Sequence, residues 1–98
     1  MEPSIRFAAI GLNHDHIYMQ VESVAEAGGE LVAYFADEDG LAEAFGKRYP
    51  ASKRARSRAE ILDDPSIALV LTAAIPGDRA GIAVEAMRHG KDVMTDKP

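Results

Sequence analysis

Short apolar runs alternate along the chain with longer segments that have helical periodicity. The first run, from Phe7 to Ile10, is continuous and ends at Gly11, which is typical of a buried parallel strand followed by a tight turn. After it, Asn13 is a candidate N-cap and Gly28-Gly29 a helix stop. Between them the apolar positions follow one helix face, at Ile17, Val21, Val24 and Ala25.

The same alternation continues to the end of the chain. Further strands are predicted at Glu30–Phe35, Ile67–Ala73 and Lys91–Thr95, and the basic stretch 51–58 is predicted to be a short edge strand or a loop. Helices are predicted from about Asp39 to Tyr49, from the capping box at Ser57–Glu60, and after Pro76. Strands and helices in strict alternation predict an α/β fold, a doubly wound parallel sheet of about five strands in a single domain.

Composition narrows the class of protein. The chain has 98 residues, of which 47% are hydrophobic and 28% charged, as in ordinary globular domains. Its net charge of -5 argues against nucleic acid or an anionic membrane as a partner. It has no cysteine, no apolar run long enough to span a membrane and no basic flank of a signal peptide. We therefore expect a cytoplasmic protein that binds neither nucleic acid nor membrane.

The turn at Gly11 is the first candidate for chemistry. A glycine that ends a parallel strand and opens a helix exposes backbone N–H groups, and such a helix terminus attracts anions. In dinucleotide-binding folds that anion is the cofactor's pyrophosphate. A plain strand-to-helix glycine is the alternative, and the order of the other elements favours the pyrophosphate turn.

Four separate pieces of the sequence together resemble one family. They are the Gly11 turn, the strand Gly-Glu-Leu-Val-Ala, the corner Asp-Asp-Pro-Ser-Ile, and the C-terminal run Ala-Met-Arg-His-Gly-Lys-Asp-Val-Met-Thr-Asp-Lys-Pro. The chain resembles the N-terminal nucleotide-binding domain of the glucose–fructose oxidoreductase / inositol dehydrogenase / rhizopine-catabolism family (Gfo/Idh/MocA). The resemblance implies a Rossmann-type fold, NAD or NADP as cofactor, and hydride transfer on a sugar, polyol or related small molecule.

In this family a second α/β domain follows and carries most substrate contacts and the subunit interface. The resemblance therefore implies that residues 1–98 are the dinucleotide-binding domain, inactive alone, of a homo-oligomeric enzyme.

The glycine motif departs from the family's pattern. Gly11 keeps the first place of G-x-G-x-x-G, but Asn13 takes the second and His16 the third. Leu12 and His14 lie within the same turn and complete the candidate pyrophosphate site. Asn tolerates left-handed backbone, so its substitution is mild, whereas the imidazole of His16 forces the helix away from the strand or points into the cleft.

The other cofactor positions also follow from the resemblance. The ribose acid of the family falls on Ala36, and Asp37 comes one residue later; no base stands beside them in the sequence, which favours NAD over NADP. The family's Thr-Pro-x-x-x-His segment corresponds to Ala74 through Arg79, with Ala74 and Pro76 as candidate contacts and the histidine replaced.

Lys97 is the candidate catalytic residue. It corresponds to the family's acid-Lys-Pro triplet, in which Asp96 replaces the common Glu. An ammonium at the carboxyl end of a parallel strand can stabilise negative charge on a substrate oxygen or assist proton transfer. Without the resemblance, a solvated lysine would be the better interpretation.

Two alternatives stay open. His14 and His16 suggest a metal site, but residues two apart on a helix point in nearly opposite directions, so we predict no metal. The altered glycines also fit a non-catalytic binding or regulatory module that has kept the fold and lost part of the cofactor site.

Overall fold

The computed structural model describes residues 5–95, in which five strands alternate with four helices. The strands are β1 (Arg6–Ile10), β2 (Glu30–Phe35), β3 (Lys53–Arg54), β4 (Leu69–Thr72) and β5 (Asp92–Thr95). The helices are α1 (His16–Glu26), α2 (Asp39–Arg48), α3 (Arg58–Leu62) and α4 (Pro76–Arg88). All strand pairs are parallel and the spatial order is β3-β2-β1-β4-β5, so the predicted α/β fold is confirmed.

Strand β1 occupies the centre of the sheet. It pairs with β2 on one side, where Ile10 faces Phe35, and with β4 on the other, where Ala9 faces Leu71. The chain builds the sheet outward from β1 to β3 and then returns to add β4 and β5. Open α/β sheets bind ligands at this reversal, outside the carboxyl ends of the two central strands. The crevice therefore opens beside Gly11.

The two faces of β1 enter two hydrophobic layers, since neighbouring side chains of a strand point in opposite directions. Phe7 and Ala9 join the layer beneath α1 and α2, and Ala8 and Ile10 join the layer beneath α3 and α4. All four are at most 1% exposed. The continuous apolar run that predicted a strand buried on both faces is thereby explained.

The start of α1 differs from the prediction that Asn13 is its N-cap. The helix begins at His16 and Asp15 holds the N-cap position, without a side-chain cap hydrogen bond. The N–H of His14 donates to the carbonyl oxygen of Ala73 in the loop after β4, at 2.9 Å. This hydrogen bond keeps the chain against the sheet as far as His14, so the helix starts later than the sequence indicates.

Ala25 in α1, which the sequence predicted to face inward, is exposed, and so is Met87 in α4. With 3.6 residues per turn, the face of Ile17 is regained after seven residues, at half-buried Val24, rather than after eight. In α4 the buried residues are Ile82 and Ala86, four apart, and the next position is rotated toward solvent.

None of the four helices formed by residues 5–95 is both long enough and apolar enough to cross a membrane.

A buried lysine joins β5 to the loop that precedes β4. Lys91 is 5% exposed, and its Nζ donates to the carbonyl oxygens of Asp64 at 2.6 Å and Ile67 at 2.8 Å. The Ser66 hydroxyl and N–H both donate to the Asp64 carboxylate and keep its pKa below the ordinary value. The ammonium thus satisfies two carbonyl groups of a tight corner.

We expect Lys91→Met to destabilise the fold, because the Ile67 and Asp64 carbonyl groups both lose the ammonium as a donor while the aliphatic stem is kept. The Asp64 carbonyl retains the N–H of Ile67, at 3.2 Å. The loss should be about 1–3 kcal/mol in the free energy of unfolding, measured by urea denaturation. Lys47→Met, at an exposed position of α2, is the matched control. Equal stability of the two variants would contradict a structural role for the Lys91 ammonium.

Candidate functional site

Gly11 fixes the geometry at the end of β1. Its φ of +86° lies in the left-handed region, where glycine carries no side-chain penalty. Its N–H donates to the carbonyl of Phe35 at 2.9 Å, and its own carbonyl accepts the N–H of Ala73 at 3.1 Å. A Cβ at this position would stand 2.6 Å from the Cβ of Ala74. Both the backbone angle and the close approach therefore require glycine.

The loop after Gly11 presents backbone donors at the start of α1. The N–H groups of Leu12, Asn13 and Asp15 take part in no backbone hydrogen bond with residues 5–95. The side chain of Leu12 is 4% exposed and packs in the core, so this residue can meet a ligand only through its backbone. Unbonded N–H groups at the positive end of a helix dipole are suited to bind an anion.

A narrow crevice opens between this loop and the end of β2. Five of the predicted cofactor residues share its walls: Gly11, Asn13, Ala36, Asp37 and Ala74. Three further charged residues line it that the sequence interpretation did not assign to the site: Glu38, Arg58 and Asp78. The carboxyl ends of β1, β2 and β4 thus contribute to a single site.

Carboxylates dominate the side of the crevice that follows β2. Ala36 is 4% exposed and belongs to the core, whereas Asp37 and Glu38 are exposed. No base stands beside these residues in the sequence, but Arg58, from the start of α3, also lines the crevice. Its Nη1, however, lies 2.8 Å from Oε1 of Glu85, so the guanidinium is engaged in an ion pair with α4.

One hydrogen bond crosses the crevice. Nδ2 of Asn13, in the loop after β1, donates to Oε2 of Glu38, after β2, at 3.1 Å. The signal that could have drawn attention to Glu38 is the acidic run Asp37-Glu38-Asp39 directly after a predicted strand.

The two histidines lie together, contrary to the expectation that they point in opposite directions. His14 precedes α1 instead of lying within it, and its ring centroid is 4.1 Å from that of His16. One ligand atom each from His14, Asp15 and His16 lie within 4.8 Å of one another, a separation that a metal ion could bridge. All three side chains are exposed, and the positive end of the α1 dipole disfavours a cation here.

His16 lies away from the crevice beside Gly11. It lines a groove of about 330 Å³ between α1 and β5, together with Met19, Gln20, Ser23 and Met94. Its imidazole therefore lies on the side of α1 that faces the end of β5.

The remaining predicted residues are placed as follows. Pro76 is the first residue of α4, directly after the β4 loop that carries Ala74. Asp96 and Lys97 lie outside the described residues and follow Thr95, the last residue of β5, in the sequence.

Comparison with known proteins gives solved structures as relatives, and neither a protein-family model nor a curated protein matches the chain. A proposed oxidoreductase from Erwinia carotovora atroseptica SCRI1043 is 40% identical, with a TM-score of 0.93, over 97% of this chain and 28% of its own. myo-Inositol dehydrogenase from Lactobacillus casei, solved with NAD(H) and myo-inositol, is 21% identical over 98% of this chain and 29% of its own, with a TM-score of 0.83. Biliverdin reductase from Synechocystis sp. PCC 6803, solved with biliverdin and NADP+, is 22% identical over 96% and 29%, with a TM-score of 0.81.

The sheet order and the crevice beside Gly11 define a Rossmann-type nucleotide-binding fold. The structural relatives are oxidoreductases of the Gfo/Idh/MocA type, and the chain matches their N-terminal part, so the resemblance inferred from the sequence is confirmed. The chain spans less than a third of the length of these relatives.

We expect Gly11→Ala to destabilise the fold more than Gly90→Ala. Both glycines have positive φ, +86° and +78°, but a Cβ at Gly90 would meet no atom within 4 Å. Both variants therefore carry the strain of a positive φ, and the difference between their stabilities measures the close contact of Gly11 with Ala74. The difference between the two variants in the free energy of unfolding should be about 1–3 kcal/mol, measured by urea denaturation. Equal losses would show that β1 and β4 can separate to admit a methyl group.

Proposed function

We propose that this chain is the dinucleotide-binding part of an NAD(P)-dependent oxidoreductase. The observation that carries the proposal is the set of N–H groups of Leu12, Asn13 and Asp15, which form no backbone hydrogen bond within residues 5–95, beside a glycine whose Cβ position is blocked. These groups suit a pyrophosphate that lies against the start of α1. The relatives solved with NAD(H) and NADP+ support the same class of ligand.

The crevice fits NAD better than NADP. Three carboxylates line it, Asp37, Glu38 and Asp78, and its cation, Arg58, is paired with Glu85. Carboxylates accept hydrogen bonds from ribose hydroxyls and repel a 2′-phosphate. Asp15 adds another negative charge, but its carboxylate lies beside His14, at 3.2 Å from Nδ1.

Each candidate residue has a role in this proposal. The backbone N–H groups of Leu12, Asn13 and Asp15 would hold the pyrophosphate, and the imidazoles of His14 and His16 lie near the start of the same helix. Ala74 and Pro76 would border the nicotinamide side, and Asp96 would tune the charge of Lys97. Bound NAD(P) would supply hydride transfer at its nicotinamide ring. Lys97 would stabilise the charge that develops on the substrate oxygen.

The substrate that we propose is a sugar, a polyol or a related small molecule. The bound myo-inositol of the Lactobacillus casei relative is a polyol and supports this class. Substrate binding and assembly into a homo-oligomer would rest on a further domain, so residues 1–98 alone should be inactive.

A non-catalytic binding module is the second candidate. It is favoured by Asn13 and His16 at the second and third glycine positions, and by the Asn13–Glu38 hydrogen bond that spans the crevice. Cofactor binding distinguishes the two candidates.

We expect the chain to bind NADH weakly and NADPH more weakly still. Titration of the ¹⁵N-labelled chain should shift the amide resonances of Leu12, Asn13 and Asp15 first, because these groups would contact the pyrophosphate. Inorganic pyrophosphate at the same ionic strength is the control for plain anion binding. Absence of shifts with either dinucleotide at millimolar concentration would reject the proposal in favour of a non-catalytic module.

In a protein that carries this chain together with a substrate-binding domain, Lys97→Ala should lower kcat by about 10²–10³. NADH binding should be nearly unchanged, because the charge is needed at the reacting carbon–oxygen bond. Lys47→Ala, at an exposed position of α2, is the matched control. A kcat near that of the unmodified enzyme would remove Lys97 from the mechanism.

A further inference from the structure

We infer that a cavity beneath α3, toward the amino ends of the strands, is a binding site for a small aliphatic amino acid. The cavity lies at the opposite edge of the sheet from Gly11. The inference is therefore independent of the proposed cofactor site and concerns a ligand other than the substrate of hydride transfer.

The cavity exists because α3 covers only part of the sheet. This helix has five residues and is about 7.5 Å long, whereas the six residues of β2 extend about 20 Å. Ala33 and Ala55 have small side chains that leave further space, next to a wall formed by the buried Ile61 and Ile67. The cavity has a volume of about 210 Å³, the share of about seven water molecules in the liquid. It is too small for a dinucleotide and suits a ligand with a similar number of non-hydrogen atoms.

A shift in the strand register makes the floor of the cavity apolar over two successive residues. The pairing of β1 with β2 shifts between Phe7 and Ala8, which leaves Val32 as an extra residue on β2. Val32 and Ala33 consequently both line the cavity and pack against the same hydrophobic layer, although neighbours along a regular strand point to opposite faces. The floor therefore suits the aliphatic part of a ligand.

Two cations line the rim of the cavity, Arg6 and Lys53. Arg6 lies two residues before Ala8, which pairs with Ala33, and Ala33 pairs in turn with Lys53. Side chains two apart on a strand, like those of paired residues, point to the same face, so both cations lie on the face that α3 covers. Neither forms a side-chain hydrogen bond or an ion pair within residues 5–95, so both can bind a carboxylate.

Two carboxylates complete the rim, Glu60 and Asp64. Both donors of Ser66 bond to Oδ1 of Asp64, so Oδ2 keeps its lone pairs for a ligand. These donors, and to a smaller extent the charge of Arg6, hold the pKa of Asp64 below its ordinary value, so this group is ionised at neutral pH. The Glu60 carboxylate is exposed and accepts the N–H of Arg56 in long hydrogen bonds of 3.3 and 3.4 Å. An ammonium group therefore has two acceptors at the rim.

The pattern of charges selects the class of ligand. Two positive and two negative groups surround one apolar floor, so the carboxylates disfavour a simple anion and the cations disfavour a simple amine. A zwitterion satisfies both pairs, with its carboxylate toward the cations and its ammonium toward the carboxylates. An amino acid with an aliphatic side chain adds the apolar part that the floor requires.

The test is a titration of the ¹⁵N-labelled chain with L-leucine. The amide resonances of Val32, Ala33 and Ala55 should shift saturably, and those of Leu12 and Asn13 should not, because the crevice beside Gly11 lies at the other end of β1. Isocaproate lacks the amine and isoamylamine lacks the carboxylate, so each should bind at least about fivefold more weakly than leucine. Glycine keeps both charges without the aliphatic part and should also bind more weakly.

Two variants test the rim and the floor separately. Arg6→Gln removes one cation at an exposed position and should weaken leucine binding about fivefold. Arg88→Gln removes the same charge at an exposed position of α4 outside the cavity, and it should leave leucine binding unchanged. Ala33→Val fills the floor with a residue that strands favour, and it should abolish the shifts.

Three results would overturn the inference. The first is leucine binding that Arg6→Gln weakens no more than Arg88→Gln, since the rim would then take no part. The second is isocaproate or isoamylamine binding as tight as that of leucine, because the site would then recognise a single charge. The third is the absence of saturable shifts with leucine at millimolar concentration. None of these results bears on the proposed function, which rests on the N–H groups at the start of α1.

Discussion

The close approach of β1 and β4 at Gly11 is the constraint on which the rest of the structure depends. The Cβ position of Gly11 is blocked by Ala74, and its N–H and carbonyl are bonded to β2 and to the loop after β4. The three strands are therefore fixed to one another at the edge where the crevice opens. A neighbouring hydrogen bond, from the N–H of His14 to the carbonyl of Ala73, determines where α1 starts, because it holds the loop against the sheet as far as His14.

Because of this constraint, the two sides of the crevice have opposite electrostatic character. The start of α1 offers unbonded N–H groups and a positive helix end, and the end of β2 offers the carboxylates of Asp37 and Glu38. A dinucleotide has the complementary order, with a pyrophosphate beside a ribose whose hydroxyls are donors. On our proposal, a net acidic chain would hold a polyanionic cofactor, because the phosphates would meet backbone dipoles and the acids would meet neutral hydroxyls.

The fold could be predicted from the sequence because each strand and helix has its own local pattern of apolar residues, and these patterns alternate regularly along the chain. The continuous run Phe7–Ile10 and the glycine after it are sufficient to indicate a central parallel strand, and Gly11 is confirmed as the turn beside the crevice. The contacts of the site depend on distant segments. Arg58 reaches the crevice from the start of α3, and His14 meets His16 because a hydrogen bond to Ala73 delays α1. The spacing of residues in the sequence predicts neither the position of Arg58 nor the contact between the two histidines.

The Asn13–Glu38 pair changes how departures from a family pattern should be interpreted. Taken singly, the loss of the second glycine and the apolar residue at the ribose position each suggest a weakened cofactor site. The structure joins them, since the side chain that replaces the glycine donates to an acid two residues beyond the position of the missing one. Residues that share a hydrogen bond are energetically coupled, so the effect of Asn13 on the site cannot be separated from that of Glu38. On our proposal, Asp37 and Glu38 supply the acids that Ala36 lacks, and a crevice with an unusual sequence keeps the charge pattern that a dinucleotide requires.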